Sequence, residues 1–389
     1  MKIALFLPHL DVTGGLGVHC RMVLNALMQV DSDHTFTILA PRNPAVLFPH
    51  VAAEPFDVNL SDRFAFRRLE IPAGFNLAER LDALLAAPLA DVKPDVLYCS
   101  YYTGMAQPPC PQIVAFHDAG FLENPEGFGA TAAIRKQTLE TIRDSIDLIQ
   151  CISRDARERI CRLLPWPKDK TAVVWHALPD SDAAIAEAIA SEPLPEFPKP
   201  YFLLPVGAAT GFNRKRKNVP TAVKAFRMLP KGTARLIIAG TAQLTDIVLA
   251  ELLPETETGK MVGEQWVSSD GSVTILPTIS RTVFLRLMRH ATAVVYPSRY
   301  EGFGLLTIEA MAVRAPLIAA RATSIPEIVG DAGLLVDDRD VQGFANAMAE
   351  LQSDPAKSRQ LVEAGRERIR HFTLERLGRE MVDLLERVR

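Results

Sequence analysis

The sequence predicts an α/β protein of two domains, each a parallel sheet flanked by helices in the Rossmann-like manner. Short β-branched apolar runs alternate along the chain with amphipathic stretches, the pattern of strand–helix–strand units. Two of these runs, at 2–8 and 201–206, each lead into a glycine-bearing turn and then a helix. Between them, Pro-Leu-Pro-Glu-Phe-Pro-Lys-Pro at 193–200 reads as a semi-rigid, extended linker. A chain of 389 residues is long enough to give each half its own core. The expected division is therefore 1–192, a linker at 193–200, and 201–372.

The first domain opens with a strand at 2–8, which reads as a strand and not as a signal peptide because no cleavage site follows it. Asp11-Val-Thr-Gly14-Gly15-Leu-Gly17 is the turn, and Val18, Met22, Ala26 or Leu27 and Val30 line the apolar side of the helix after it. The turn lacks GxGxxG, and the next strand (35–40) ends without an acidic residue for a ribose, which opposes a dinucleotide enzyme. Residues 50–80 carry little pattern. Arg63, Arg67 and Arg68, interleaved with Phe64 and Phe66, offer contact to an acceptor or to a membrane surface, but a solvated edge is preferred because the first half is acidic overall. Strands follow at 95–99 and 112–116. The second ends at His117-Asp118, the carboxyl end where parallel sheets hold ligands. Residues 131–149 are expected to be helical, and Arg154, Arg157, Arg159 and Arg162 lie on a further helix where Asp155 and Glu158 pair with them at i,i+3 and i,i+4. A last strand, 171–176, ends at Trp175-His176.

The second domain begins with a strand at 201–206 and Gly207. A basic turn, Phe212-Asn-Arg214-Lys-Arg216-Lys217-Asn218, precedes a helix that starts near Pro220. Strands are expected at 235–239 and 273–276, the latter followed by Pro277-Thr278-Ile279-Ser280. Residues 291–295 form a buried strand. Beyond it Glu301-Gly-Phe303-Gly304 forms a turn, and Leu305, Ile308, Ala312 and Val313 fall at helical spacing, so a helix starts near Phe303 or Gly304. A helix start with glycines beside it lets a phosphate approach backbone N–H groups that carry partial positive charge. Two amphipathic helices fill 338–371, and another helix covers 373–388.

The run Pro297-Ser-x-x-Glu301-Gly-Phe303-Gly304-Leu305-x-x-x-Glu309-Ala-Met311 closely resembles the donor-site signature of the retaining glycosyltransferases of family 4, which have the GT-B fold. The likeness continues through Ala315-Pro-Leu-Ile-Ala319, Ser324-Ile-Pro-Glu327 and Gly330-Asp-Ala-Gly-Leu-Leu-Val336. This resemblance implies two facing Rossmann-like domains with a ligand cleft between them, and a helix at 373–389 that crosses back onto the first. It also implies roles. The Gly15 loop faces the donor phosphate, and His117 contacts the donor sugar hydroxyls. Arg216 and Lys217 hold the diphosphate together with the backbone of Phe303, Gly304 and Leu305; the longer loop before them leaves Arg214, Lys215 and Arg216 as alternative partners of Lys217. Glu301 orients the donor, Glu309 takes the ribose, and the Ile279 loop reads the base. Two departures stand out. No glycine occupies Arg314-Ala315, and His176-Ala-Leu stands where the family commonly has Asn-Gly.

The implied reaction moves a sugar from a nucleotide-diphosphate sugar to a hydroxyl of a glycan, lipid-linked sugar or small molecule, with retention. The nearest look is that of mannosyltransferases, so GDP-mannose is the first donor to expect, without a metal or other cofactor. Two other readings share these residues: a sugar-nucleotide 2-epimerase on the same fold, and a catalytically silent binding subunit. A net charge of −3 argues against a nucleic-acid partner. Five cysteines without CxxC spacing read as reduced, mostly buried thiols with no metal site, and point to the cytoplasm with at most peripheral membrane contact. No run reaches the ~20 apolar residues of a membrane span.

Overall fold

The computed structural model describes residues 1–48, 55–56, 60–72, 74–75, 77–128, 130–179, 181–197, 199–206, 215–241, 244–277 and 279–389. The 207–214 loop, including Gly207 and Arg214, and Thr278 lie outside the described residues. The chain divides into two compact units, Met1–Pro179 with Phe372–Arg389, and Asp180–His371.

The first unit is built on seven parallel strands: β1 (Lys2–Phe6), β2 (Thr35–Pro41), β3 (Phe64–Leu69), β4 (Val96–Cys99), β5 (Gln112–Phe116), β6 (Leu148–Cys151) and β7 (Thr171–Val173). Their order is β3-β2-β1-β4-β5-β6-β7. Ile3 is in register with Phe36 on one side and Val96 on the other, so the chain reverses direction across the sheet between β1 and β4. Ile3, Leu5, Leu97, Tyr98, Ile113 and Ala115 have no exposed surface, as expected of strands covered on both faces. β3 is the edge, and it was hidden in the unpatterned stretch. The arginines in and just before it serve neighbouring elements: Arg67 pairs with Asp91, Arg68 with Asp11, and Arg63 caps the Val30 and Ser32 carbonyls. The helix expected over 131–149 stops at Thr141, and Leu148–Cys151 is β6, because Leu148 and Ile149 pair with β5.

The second unit holds eight strands: β8 (Tyr201–Pro205), β9 (Arg235–Ala239), β10 (Gly259–Val262), β11 (Gln265–Ser268), β12 (Val273–Leu276), β13 (Ala293–Tyr296), β14 (Leu317–Ala320) and β15 (Leu334–Val336). The order is β10-β11-β12-β9-β8-β13-β14-β15. All neighbours are parallel except β10, β11 and β12, where an antiparallel hairpin extends one edge. Here the order reverses between β8 and β13.

The division falls between Pro179 and Asp180 and not at 192. The helix Asp182–Ala190 belongs to the second unit, where Arg289 Nε donates to the Ile189 carbonyl and His290 Nε2 lies 2.7 Å from the Ser191 carbonyl. The helix Leu374–Glu386 belongs to the first unit and lies on the helix Gly15–Gln29. Gly378 makes that approach possible, since a Cβ there would stand 2.3 Å from the Ala26 carbonyl oxygen. Arg376 ties the same helix to the carbonyls of Trp175 and His176. Among the described residues, no helix is long and apolar enough to cross a membrane.

Candidate active site

In the second unit the switch between β8 and β13 brings two distant segments together. Lys217 follows β8 and Glu301 follows β13, at the carboxyl ends where open parallel sheets hold ligands. The Lys217 ammonium lies 2.8 Å from Glu301 Oε1, and the Arg216 guanidinium lies 2.7 Å from Oε2. Ser298 Oγ donates to Oε1 at 2.6 Å, and Lys217 also donates to the Tyr296 hydroxyl at 3.0 Å. The Glu301 backbone is fixed as well: its N–H donates to Thr323 Oγ1, and its carbonyl accepts from Ser324 Oγ. Burial alone would push the Glu301 carboxyl up, but Arg216, Lys217 and the Lys217 and Ser298 hydrogen bonds hold it well below the usual carboxylate range. Burial pulls the Lys217 ammonium down, opposed by that same carboxylate.

The helix Leu305–Ala312 starts four residues after Glu301. Gly304 caps it at φ 94°, a left-handed conformation that favours glycine, and makes no side-chain capping bond. Thr307 bonds the Gly304 carbonyl through both its N–H and its hydroxyl. Phe303 is buried and Leu305 half-buried. Glu309, inside the helix, is 5% exposed, and its carboxylate meets Arg281 at 2.8 Å. Arg281 opens the helix Arg281–His290 two residues after Ile279, so it links the two positions expected to hold the nucleoside. Lys215 is exposed, whereas Arg216 and Lys217 both turn onto Glu301, which makes Arg216 the partner of Lys217 among the described residues.

In the first unit His117 follows β5 and is 7% exposed. Its Nε2 lies 2.9 Å from the Ser100 carbonyl, which requires that nitrogen to carry the proton. Its ring stands edge-on to His19, with centroids 4.5 Å apart at 87°. The hydroxyl of Tyr98 donates to Gln150 Oε1, so its oxygen is left to accept and His19 carries its proton on Nε2. His19 Nδ1 then accepts from His176 Nε2 at 3.0 Å. Burial lowers all of these imidazoles from the ordinary histidine value, His176 to about 3, so the cluster is neutral near pH 7. Gly15 opens the helix Gly15–Gln29 after Gly14 at φ 89°, and a Cβ on Gly15 would meet open space.

The structure thus brings together Arg216, Lys217 and Glu301 ahead of Gly304, and sets Arg281, two residues after Ile279, on Glu309, while His117 and Gly15 stand in the first unit. Both oxygens of Glu301 are engaged by Arg216, Lys217 and Ser298, so this carboxylate organises the cationic pair. Sequence reasoning missed Arg281, Thr323, His19 and Tyr98, none of which sits in a linear pattern. Tyr296 and Ser298 lay in or beside the quoted motif and were not given roles.

Two family models match the chain, one described as glycosyltransferase family 4 over residues 13–181 and one as glycosyl transferases group 1 over residues 189–368. An O-antigen chain mannosyltransferase B of Escherichia coli is 33% identical over 250 residues, which are 62% of this chain and 61% of that protein. The chain thus spans less than two thirds of that relative's length. The fold is similar to that of a sucrose-phosphate synthase from Thermosynechococcus elongatus, with TM-score 0.71, 21% identity and coverage of 100% and 98% of the two chains. It is also similar to an Anabaena protein solved in complex with UDP-glucose, with TM-score 0.65, 15% identity and full coverage of both chains.

Proposed function

Because the chain belongs to the group 1 glycosyltransferases of family 4, we propose that it moves a hexosyl unit from a nucleoside-diphosphate sugar to a hydroxyl acceptor, with retention. The observation that carries this reading is the Arg216–Lys217–Glu301 cluster at the strand-order switch, just ahead of the glycine-capped helix start. Two cations held by one buried carboxylate keep a positive face without mutual repulsion, and the helix start adds its own partial charge. A diphosphate fits that field, and these groups supply the charge that a metal would otherwise bring. The UDP-glucose bound by the Anabaena protein supports a nucleotide-sugar donor. The Escherichia coli relative supports mannose as the sugar, so GDP-mannose is the donor proposed and a glycan hydroxyl the acceptor.

Retention through a double displacement needs a carboxylate with a lone pair aimed at the anomeric carbon. Glu301 is poorly suited, with both oxygens engaged. Front-face substitution fits better: the acceptor oxygen bonds to the anomeric carbon as the bond to the leaving phosphate breaks, and that phosphate oxygen takes the acceptor proton. Arg216, Lys217 and the Leu305 helix start stabilise the departing charge. His117, protonated on Nε2, presents Nδ1 as an acceptor for a sugar hydroxyl.

The test measures nucleoside diphosphate released from GDP-mannose and from UDP-glucose, with and without a glycan acceptor, and assigns the product anomer by NMR. Acceptor-dependent release with retention, persisting in EDTA, is expected. Glu301→Gln should lower kcat and leave some retained product. An inverted product or a trapped glycosyl–Glu301 adduct would overturn the mechanism. Donor isomerised without acceptor would indicate a 2-epimerase, and no turnover a silent binding subunit.

A further inference from the structure

His19, His117 and His176 come from three separate segments, after β1, β5 and β7, and one nitrogen of each lies within 4.8 Å of the other two. Three imidazoles gathered this closely and buried are a donor set for a borderline divalent ion. The outward nitrogens of two of them are already engaged. His19 Nε2 bonds the Tyr98 hydroxyl, itself anchored on Gln150, and His117 Nε2 bonds the Ser100 carbonyl. Metal-bound histidines are held in this manner, with the other ring N–H given to a fixed acceptor. That leaves Nδ1 of His19 and of His117 to ligate. His176 Nε2, 3.0 Å from His19 Nδ1, is the third donor. A tetrahedral ion with bonds of ~2.0–2.1 Å keeps its ligands roughly 3.3 Å apart. The His19–His176 pair is near that spacing, and ring movements of up to ~1.5 Å would close the rest. His176 stands where this chain departs from the Asn-Gly of the family it resembles.

We propose that His19, His117 and His176 bind one Zn²⁺-class divalent ion, with the fourth position left to water or an anion. Binding exchanges the His19–His176 hydrogen bond for two metal bonds, and the proton of His176 moves from Nε2 to Nδ1. The ion occupies His117 Nδ1, so it inhibits sugar transfer. That last clause rests on the role given to His117 above; the binding does not.

The full chain, stripped with EDTA and dialysed, is titrated with Co²⁺ and its visible spectrum followed. One ion per chain with the intense bands of four-coordinate cobalt is expected, bleached by one equivalent of Zn²⁺. His176→Gln should abolish the bands, and Tyr98→Phe, which keeps the ring and removes only the hydroxyl, should weaken affinity by about 10–100-fold. Wild-type protein giving only the pale spectrum of six-coordinate cobalt would overturn the site without recourse to a variant, and so would bands unchanged in His176→Gln. Tight binding without loss of donor turnover would keep the site and remove His117 from sugar contact.

Discussion

The Lys217 ammonium and the Glu301 carboxylate, 84 positions apart in sequence, meet at 2.8 Å with both groups buried. Removing Lys217 leaves the buried carboxylate with Arg216 as its remaining cation. Lys217→Met should therefore cost less than the ~3–5 kcal/mol of a buried charge left wholly unpaired, on the order of 2 kcal/mol in denaturant unfolding. Adding Glu301→Gln should recover part of it, and a strictly additive double-mutant cycle would sink the coupling. Lys217→Met should also weaken nucleoside diphosphate binding by about ten- to a hundredfold in calorimetry, the loss of a charge-assisted bond worth roughly 1.5–3 kcal/mol.

Glu309 is held by Arg281 beside the Ile279 loop. A ribose contact is alike in ground and transition states, so Glu309→Ala should raise the donor KM severalfold and leave kcat nearly unchanged. Arg281→Ala should move KM the same way by less, since it only positions the carboxylate. A fall in kcat at constant KM would contradict both assignments.

Arg314 sits at φ 60° with its side chain exposed, at the place where the family usually puts glycine. A left-handed conformation costs an L-residue roughly 1–2 kcal/mol. Glycine avoids that and adds roughly 0.5–1 kcal/mol of chain entropy to the unfolded state. Arg314→Gly also removes a cation that crowds Arg289. The variant should be more stable by about 0.5–1 kcal/mol in denaturant unfolding. A destabilised variant would mean that the arginine side chain makes a contact that outweighs the strain.

His9 is buried, stacked on Phe48 at 4.0 Å and edge-on to Tyr101. Burial, then the nearby His117 and Arg135, lowers it to about 3. The unfolded chain takes up that proton near pH ~6.5 and the folded chain does not. Stability contributed by neutral His9 is full above pH ~6.5 and falls as the pH drops toward 3, by up to about 1.4 kcal/mol per unit. His9→Phe keeps the stack and should lessen the slope of that acid limb in unfolding measured from pH 7 to 4, the buried His19, His117 and His176 keeping the remainder. An unchanged slope would show that other groups set it.

The glycines and the Pro-Ser-x-x-Glu run could be read from sequence because they act through local backbone geometry. Gly304 needs its φ and Gly14 its turn whatever lies elsewhere. The Lys217–Glu301 pair was legible only in halves, since nothing local says that β8 and β13 are neighbours. The imidazole cluster was invisible: His19 and His176 are 157 positions apart, and each alone resembles a core histidine. β3 escaped because Phe-Ala-Phe-Arg-Arg-Leu breaks the alternation of a half-buried strand; its arginines lie at an edge where their heads reach other elements. The hairpin β10–β11 escaped for a similar reason, with every residue of β10 exposed.

The placement of Leu374–Glu386 against Gly15–Gln29 bears on the order in which a ribosome can finish the two units. Synthesis is vectorial, and the first 179 residues emerge with one helix of their unit still unmade. The second unit, Asp180–His371, has its whole sequence outside the tunnel earlier than the first does. The face of Gly15–Gln29 that will receive Gly378 must wait, wetted, through the translation of nearly three hundred and fifty intervening residues. The half of the molecule that begins folding first is thus the one that completes last.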